Sequence, residues 1–247
     1  KFWGFLLVIV LMTSCGEYQS LLKSNDYNLV YKKAIEYYNK GDYQRAMNLL
    51  DGVRSVFVGQ AKAQNIAYYR AFCSYNMKDY QIASDLFKQF IQTYPESSFA
   101  EECLYMMGFC DYKASPKPRL DQQVTEKAIR EFQLYLSRYP YSMRKDKVNT
   151  YMDEMRDKLS YKAYLSAKNY YLREHYKAAV ISLQNCLKDY PGSKYREEIM
   201  YMLFVSKYQM AVNSVEDKKV ERYNNAREEY YYFADEYPNS RYAADVK

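Results

Sequence analysis

The chain has 247 residues, of which 49% are hydrophobic and 27% are charged, a composition typical of a folded globular protein. It contains 32 Tyr but only 7 Gly and 6 Pro, which leaves little turn-forming material for a many-stranded sheet and favours long helices. The net charge of +6 is spread along the chain without a long run of like charges, which disfavours a nucleic-acid-binding surface.

The N-terminal residues have the pattern of a secretion signal. Lys1 is followed by an uncharged apolar run over 2–12 and then by Thr13-Ser14-Cys15-Gly16. This run is too short for a membrane-spanning helix, which needs about 20 residues, but it fits the core of a signal peptide. Small residues directly before a cysteine resemble the lipobox of bacterial lipoproteins. We therefore predict a lipoprotein signal peptide over 1–14, acylation of Cys15 and a lipidated tether over 15–25; an ordinary signal peptide or a stray apolar end is the alternative.

Tetrapeptides of the form Tyr-Pro-x-Ser divide the rest of the chain, beginning at Tyr94, Tyr139, Tyr190 and Tyr237. Before each one, an alanine is followed four positions later by a large residue. The pairs are Ala83/Phe87, Ala128/Phe132, Ala179/Leu183 and Ala226/Tyr230, with Ala46/Leu50 as a fifth pair near the front. Residues four apart share a helix face, so the alanine lets a neighbouring helix approach while the large residue fills the space beside it. The proline ends the helix, and we expect Asp42 and Asp79 to cap two of these helices at their start.

Each of these helices requires a partner helix before it. Small residues mark the partner helices: Ala34, Ala71, Gly108, Ala167 and Ser206. In the third and fifth units the small residue lies eight positions earlier than in the others, which predicts an inserted helix–helix loop in both. The third loop contains Ser115-Pro116-Lys117-Pro118-Arg119. A charged stretch without Gly or Pro then predicts one long helix over about 143–172, which links the two halves of the chain.

These features resemble the tetratricopeptide repeat, whose signature is a small residue in the first helix, Ala-x-x-x-Phe in the second and a closing proline. The resemblance covers about 26–242 in five copies. It implies an all-α fold, a superhelical solenoid of about five helix pairs whose first helices line a concave, protein-binding groove. We predict two halves: 26–141 with repeats 1–3, and 142–247 with the long linking helix and repeats 4–5.

The first helices carry a stripe of mostly aromatic residues spaced i, i+4, i+7, which places each trio on one helix face. In repeats 1–3, with equivalent positions 37 residues apart, the stripe contains Tyr31, Ile35, Tyr38, Tyr68, Phe72, Tyr75, Tyr105, Phe109 and Tyr112. In the repeat family these positions face the groove, so we predict peptide binding here; a core role is the alternative. Lys168 interrupts the fourth trio, and the fifth, with Leu203, Lys207 and Met210, has no aromatic residue.

Residues for catalysis or metal binding are scarce. His175 is the only histidine, which excludes a histidine-based triad and a multi-histidine metal site. The sequence has no Gly-rich phosphate loop, Gly-x-Ser-x-Gly motif or His-Glu-x-x-His motif. Four cysteines lack metal-type spacing and lie among apolar neighbours, as free buried thiols do: Cys73, Cys103, Cys110 and Cys186. We expect no enzyme activity, cofactor or metal.

Together, the lipobox, the five repeats, the Tyr-Pro-x-Ser closings and the long linking helix resemble the BamD family, the lipoprotein components of the machinery that assembles β-barrel proteins. The resemblance implies a lipid-anchored protein of the outer membrane that faces the periplasm. It implies that repeats 1–3 bind the aromatic C-terminal signal of unfolded outer-membrane clients. It also implies that the second half docks on the POTRA domains of a BamA-like barrel protein.

Two other functions stay open at this point. One is a tetratricopeptide-repeat lipoprotein that serves as an adaptor for cell-wall enzymes. The other is a pilotin-like factor for assembly of a secretion or pilus pore. Binding of C-terminal peptides of barrel proteins distinguishes the assembly function from both.

Overall fold

The computed structural model describes residues 16–243, and every regular element in that range is helical. A short helical segment over 16–22 precedes ten helices: α1 Tyr27–Asn39, α2 Tyr43–Val53, α3 Ala61–Asn76, α4 Tyr80–Thr93, α5 Ala100–Ala114, α6 Gln123–Arg138, α7 Lys145–Leu172, α8 Tyr176–Asp189, α9 Arg196–Val212 and α10 Glu216–Glu236. None of the helices between residues 16 and 243 combines the length and apolar character needed to cross a membrane.

The helices form two compact units. Among the described residues, the first contains 16–116 and 123–151, so it holds α1–α6 and the first turns of α7. The second contains 117–122 and 152–243, with the rest of α7 and α8–α10. In the first unit, each helix from α1 to α5 packs against the helix that follows it. In the second unit, α8 packs against both α7 and α9, and α9 packs against α10, as expected for tetratricopeptide-type repeats.

The small residues of the repeat lie where helices meet. The alanines of the second helices are buried, with 0% exposure at four positions and 2% at the fifth: Ala46, Ala83, Ala128, Ala179 and Ala226. A Cβ atom added to Gly108 would lie 2.9 Å from Cδ1 of Phe132, so α5 and α6 approach more closely there than a larger residue permits. The prediction that these small residues lie at packed helix contacts is confirmed.

The predicted caps are present at one of two helices. The side chain of Asp42 accepts a hydrogen bond from the backbone N–H of Arg45 at 3.2 Å, at the start of α2. Asp79 makes no such bond at the start of α4, so the prediction was wrong there. Asp26 caps α1 by accepting from the backbone N–H of Leu29 at 3.0 Å.

The long helix is confirmed as α7, Lys145–Leu172, but only one of the two inserted loops is present. In the third pair, the proline-containing segment separates α5 from α6 as predicted. In the fifth pair the extra residues instead extend α10, which begins at Glu216. That segment has no proline, its two acidic residues lie in the first turn where they offset the helix dipole, and Arg222 donates to Ser214 Oγ at 2.6 Å.

The segment over 16–22 packs against the first helix pair. Tyr18 and Leu21 lie in the same buried cluster as Val30, Ala34 and Leu49. The predicted acylation site, Cys15, and the predicted signal peptide over 1–14 lie outside the described residues.

Candidate functional site

The residues of the predicted groove lie on α1, α3 and α5 in the first unit, and we call them the aromatic stripe: Tyr31, Ile35, Tyr38, Tyr68, Phe72, Tyr75, Tyr105, Phe109 and Tyr112. Eight of the nine are partly exposed, and Tyr105, with 8% of its surface accessible, is buried. The stripe is continuous from α3 to α5, because the ring centroids of Tyr75 and Phe109 are 6.2 Å apart. Ring surface therefore remains accessible to a ligand along three consecutive first helices.

The first member of each trio also packs against the start of the next helix pair. The rings of Tyr68 and Phe99 have their centroids 4.6 Å apart. At the equivalent place, the guanidinium of Arg144 lies 4.9 Å from the centroid of the Tyr105 ring. First members therefore join successive pairs, and this contact covers part of the ring surface that a ligand would need.

The Tyr-Pro-x-Ser closings supply the polar part of these junctions. Each serine hydroxyl accepts a hydrogen bond from the backbone N–H two residues later. In three closings the serine also donates to the first turns of the preceding first helix: Ser97 to Gln64 at 2.9 Å, Ser142 to Glu101 at 2.7 Å and Ser240 to Glu197 at 2.6 Å. The hydroxyl of Tyr68 donates to Glu102 at 2.8 Å. The paired acids at the start of α5 thus accept hydrogen bonds from neighbouring helices as well as offsetting the helix dipole.

The stripe on α5 also contacts the ring of Tyr151, in the first turns of α7. Its centroid lies 4.4 Å from that of Tyr112 and 5.5 Å from that of Phe109. Two exposed ammonium groups border this surface: Lys113 lies 5.3 Å from the Phe109 ring and Lys147 lies 5.9 Å from the Tyr151 ring. Aromatic faces next to exposed cations suit a ligand that carries both a ring and a negative charge.

The sequence contained a signal for Tyr151 that the interpretation of α7 as a charged linking helix overlooked. Val148, Met152 and Met155 are buried and spaced i, i+4, i+7, so α7 has an apolar face from its first turn onward. Tyr151 borders that face.

Burial keeps several hydroxyl groups of the stripe protonated by raising their pKa values. Burial raises the pKa of Tyr38 to about 12, which outweighs the opposite effect of a hydrogen bond with Asn76. Burial also raises the pKa of Tyr75, and burial together with the neighbouring Tyr151 hydroxyl raises the pKa of Tyr105. At Tyr38, Tyr75 and Tyr105 the stripe therefore offers uncharged rings with protonated hydroxyl groups.

A buried acid cluster joins α4, α5 and α6 beneath the surface of the first unit. Asp111 is 1% exposed; it accepts from Ser84 Oγ at 3.0 Å and pairs with Lys127 Nζ at 2.9 Å. Burial raises the pKa of Glu131 to about 8, and the adjacent Asp111 carboxylate adds to the shift. Because both carboxyl groups are buried, the cluster has the character of a helix junction and offers no open site for a substrate.

The fourth and fifth pairs repeat the stacking contact. Tyr164 stacks on Tyr195 with centroids 4.4 Å apart, and Tyr201 stacks on Tyr242 at 4.3 Å. Tyr201 follows Tyr164 by the same 37 residues that separate the earlier trios, whereas Leu203 is buried. The interpretation that the fifth pair has no aromatic residues in its trio is therefore wrong. Aligning the trio on Ser206, the small residue of α9, places its first member at Leu203, two positions after Tyr201.

The accessible surface of the second unit differs from the aromatic stripe. Lys168 stands at the middle position of the fourth trio, where its ammonium binds the Tyr164 hydroxyl at 2.8 Å and the Glu198 carboxylate at 2.7 Å. Exposed apolar side chains are concentrated on the last helix pair and its turn: Tyr208, Val212, Val215, Val220, Tyr223, Tyr231 and Tyr232. The two units thus present different chemistry to solvent.

Residues with catalytic potential do not converge. His175 is exposed at the N-cap of α8. Within residues 16–243, no group of three or more His, Cys, Asp or Glu side chains is arranged to hold a metal ion. The four cysteines of the helical body are free and buried, and burial raises the pKa of the Cys73 and Cys103 thiols to about 12, which keeps them protonated.

Comparison with known proteins identifies a family. The family described as YfiO, outer membrane lipoprotein, matches residues 23–198 and, in a second match, 162–247, so the matches extend over most of the chain. None of the curated proteins compared with the chain matches it.

The solved structures that are similar to the chain include the following two. One is the TPR2AB domain of yeast Sti1 in complex with pHSP90, with 13% identity over 82% of this chain and 77% of that chain and a TM-score of 0.42. The other is MamA from AMB-1, with 14% identity over 82% of this chain and 90% of that chain and a TM-score of 0.34.

Proposed function

The chain belongs to the YfiO family of outer membrane lipoproteins, and from this membership and the aromatic stripe we propose that it is a scaffold of the machinery that assembles β-barrel proteins. In this proposal the chain has no enzymatic activity. It is anchored through acylated Cys15 and faces the periplasm. It binds unfolded outer-membrane clients with its first unit and docks on a BamA-like barrel protein with its second.

The observation that carries the client-binding proposal is the accessible aromatic surface on α5 and α7. Phe109, Tyr112 and Tyr151 form one stacked group, and exposed Lys113 and Lys147 border it. An unfolded barrel protein that ends in an aromatic residue presents a ring and a free carboxylate together. The ring packs on the stacked group, and the carboxylate pairs with the lysines. Because the first members of the trios join helix pairs, we assign client binding to the second and third members.

The docking proposal rests on the last helix pair. Val215 and Val220 are 68% and 73% exposed, and Tyr231 and Tyr232 are 61% and 66% exposed. Large apolar side chains at such exposure, at both the beginning and the end of α10, are typical of a protein-interaction surface. The POTRA domains of a BamA-like partner would cover them.

Peptide binding tests the client proposal. Fluorescence anisotropy with a labelled decapeptide from the C-terminus of a barrel protein should give saturable binding, which weakens when its terminal Phe is replaced by Ala. The variant Tyr75→Ala plus Tyr112→Ala should lose about 1–3 kcal/mol of binding free energy, the scale for one or two aromatic anchors.

A matched control uses two tyrosines that lie outside the stripe. Tyr231→Ala plus Tyr232→Ala also removes two tyrosine side chains, but from exposed positions on α10, so it should leave the peptide affinity unchanged. Circular dichroism of both variants must show wild-type helicity. Equal affinity of wild type for the Phe-ended and Ala-ended peptides would refute client recognition, and co-purification with cell-wall enzymes in that case would favour the adaptor function.

A further inference from the structure

The residues that follow the predicted acylation site are part of the folded body. In the helical segment over 16–22, Tyr18 is 9% exposed and Leu21 is 5% exposed. Both side chains lie in the core that α1 and α2 form with each other. The described part of the predicted tether is thus packed against the first helix pair.

Polar contacts from three places hold this segment. The Asn48 amide on α2 donates to the Tyr18 hydroxyl at 3.0 Å. The guanidinium of Arg45, also on α2, lies 5.3 Å from the centroid of the Tyr18 ring. Lys33 on α1 pairs with Glu17 at 3.1 Å. Contacts with both helices fix the segment in position as well as burying it.

Chain geometry then limits the distance between an anchor and the body. Consecutive Cα atoms are about 3.8 Å apart, so the Cα of Cys15 lies within about 11 Å of the Cα of Tyr18 whatever conformation the intervening residues adopt. A lipid attached at Cys15 therefore brings the headgroups of its membrane to within a few residues of the first helix pair.

The surface next to this segment suits a lipid headgroup region. Leu22, Tyr27 and Leu29 are 46%, 39% and 41% exposed. Lys23 and Lys32, close to them in sequence, are exposed as well. Tyrosine is enriched at the membrane interface, leucine inserts at the boundary between headgroups and acyl chains, and lysine pairs with anionic lipids.

We infer that these five residues, which we call the anchor-proximal face, rest on the headgroups of the bilayer that holds the acyl chains. The inference depends on the proposed acylation of Cys15. As a consequence, the first helix pair is held at the membrane surface and is not joined to its anchor by a flexible linker. The aromatic stripe then begins close to the bilayer.

Lipid quenching tests this arrangement in the acylated full-length chain. The protein is purified from membranes and reconstituted in vesicles of phosphatidylethanolamine and phosphatidylglycerol, with brominated lipid as quencher. An NBD label is placed at Leu22→Cys; Cys73, Cys103, Cys110 and Cys186 are buried, so a native protein reacts at the introduced thiol. A reference label is placed at Tyr141→Cys, which replaces a side chain that is 97% exposed after α6. Quenching at position 22 should exceed that at position 141 at least twofold.

Two further variants separate docking from anchoring. Ten Gly-Ser residues inserted after Gly16 keep the acyl chains but release the body, so quenching at position 22 should fall to the reference level. Tyr18→Ala plus Leu21→Ala should act in the same direction, whereas Gln19→Ala plus Ser20→Ala, at exposed positions of the same segment, should leave quenching unchanged.

Vesicle flotation distinguishes failure of the proposed acylation from failure of the inference about the anchor-proximal face. A chain that does not float with the vesicles lacks the anchor, and the proposed acylation fails together with the inference. A chain that floats but shows equal quenching at positions 22 and 141, or quenching that survives the insertion, is anchored through a flexible tether, and the inference alone is overturned.

Discussion

Replacing Gly108 by alanine tests the packing of the third helix pair and, with it, the support of the aromatic stripe. The added Cβ would lie 2.9 Å from Cδ1 and 3.0 Å from Cε1 of Phe132, well inside contact distance. The Phe132 ring is 0% exposed, and the rings of Tyr105 and Tyr151 lie 6.3 Å and 5.9 Å from it. Because the ring is enclosed, it cannot swing away, and α5 must shift from α6.

The expected change in the free energy of unfolding caused by Gly108→Ala follows from two opposing effects. Alanine in the middle of a helix is about 0.5–1 kcal/mol more favourable than glycine. Overpacking a filled core costs about 1–3 kcal/mol. The clash wins, so we expect Gly108→Ala to destabilise the chain by up to about 2 kcal/mol in urea unfolding.

Gly52 on α2 provides the matched control, since a Cβ added there has no other atom within 4 Å. Gly52→Ala should therefore stabilise the chain by a few tenths to about 1 kcal/mol. Adding Phe132→Leu to Gly108→Ala should recover part of the loss, because the smaller side chain removes the clash. A Gly108→Ala chain that is at least as stable as Gly52→Ala would show that α5 and α6 are not in close contact at this point.

Three more changes probe separate parts of the chain. Glu131→Gln should flatten the pH dependence of the free energy of unfolding between about pH 5 and 8, as measured by urea unfolding. In the wild type, the folded-state pKa of Glu131, about 8, lies above its unfolded value, so the folded state loses about 1.4 kcal/mol of stability per pH unit as the pH rises in that window. Lys113→Gln plus Lys147→Gln should weaken anisotropy-measured binding of a peptide with a free carboxylate but not of its amide. Val215→Asp plus Val220→Asp should abolish pull-down of the BamA-like partner and spare peptide binding.

The helix pairs could be predicted from the sequence because their determinants are local. An alanine four residues before a large side chain, closed by Tyr-Pro, specifies one face and one end of a helix. Ala83 and Phe87 are accordingly both fully buried. The absence of Gly and Pro from a charged stretch predicted the long α7, whose start differs from the expected one by about two residues.

Insertions of equal length could not be separated by counting alone. Both the third and the fifth pair contain extra residues between their helices, but only the third has prolines there. Proline removes a backbone donor and excludes the helical conformation from the residue before it, so Ser115 ends α5. The residues before Tyr223 carry no such barrier and join α10.

The solvent exposure of each stripe residue could not be predicted from the periodicity of the sequence. Spacing of i, i+4, i+7 identifies a face of a helix, but it does not show what lies opposite each turn of that face. In the structure, Tyr68 meets Phe99 of the next pair, whereas Phe72 meets Phe87 of its own pair at 5.0 Å. Both contacts depend on long-range packing that one helix cannot encode.

The contacts between successive helix pairs also explain why the first residue of a trio is tyrosine and not phenylalanine. At Tyr68 and Tyr164 the ring stacks on the next pair, and the hydroxyl donates to an acid at the start of the next first helix, Glu102 or Glu198. Phenylalanine would keep the stack but leave a partly buried carboxylate with one donor fewer, which is costly. Part of the high tyrosine content therefore reflects how the helix pairs are joined. A tyrosine's place within its trio decides whether it joins two pairs or belongs to the surface that we propose for client binding.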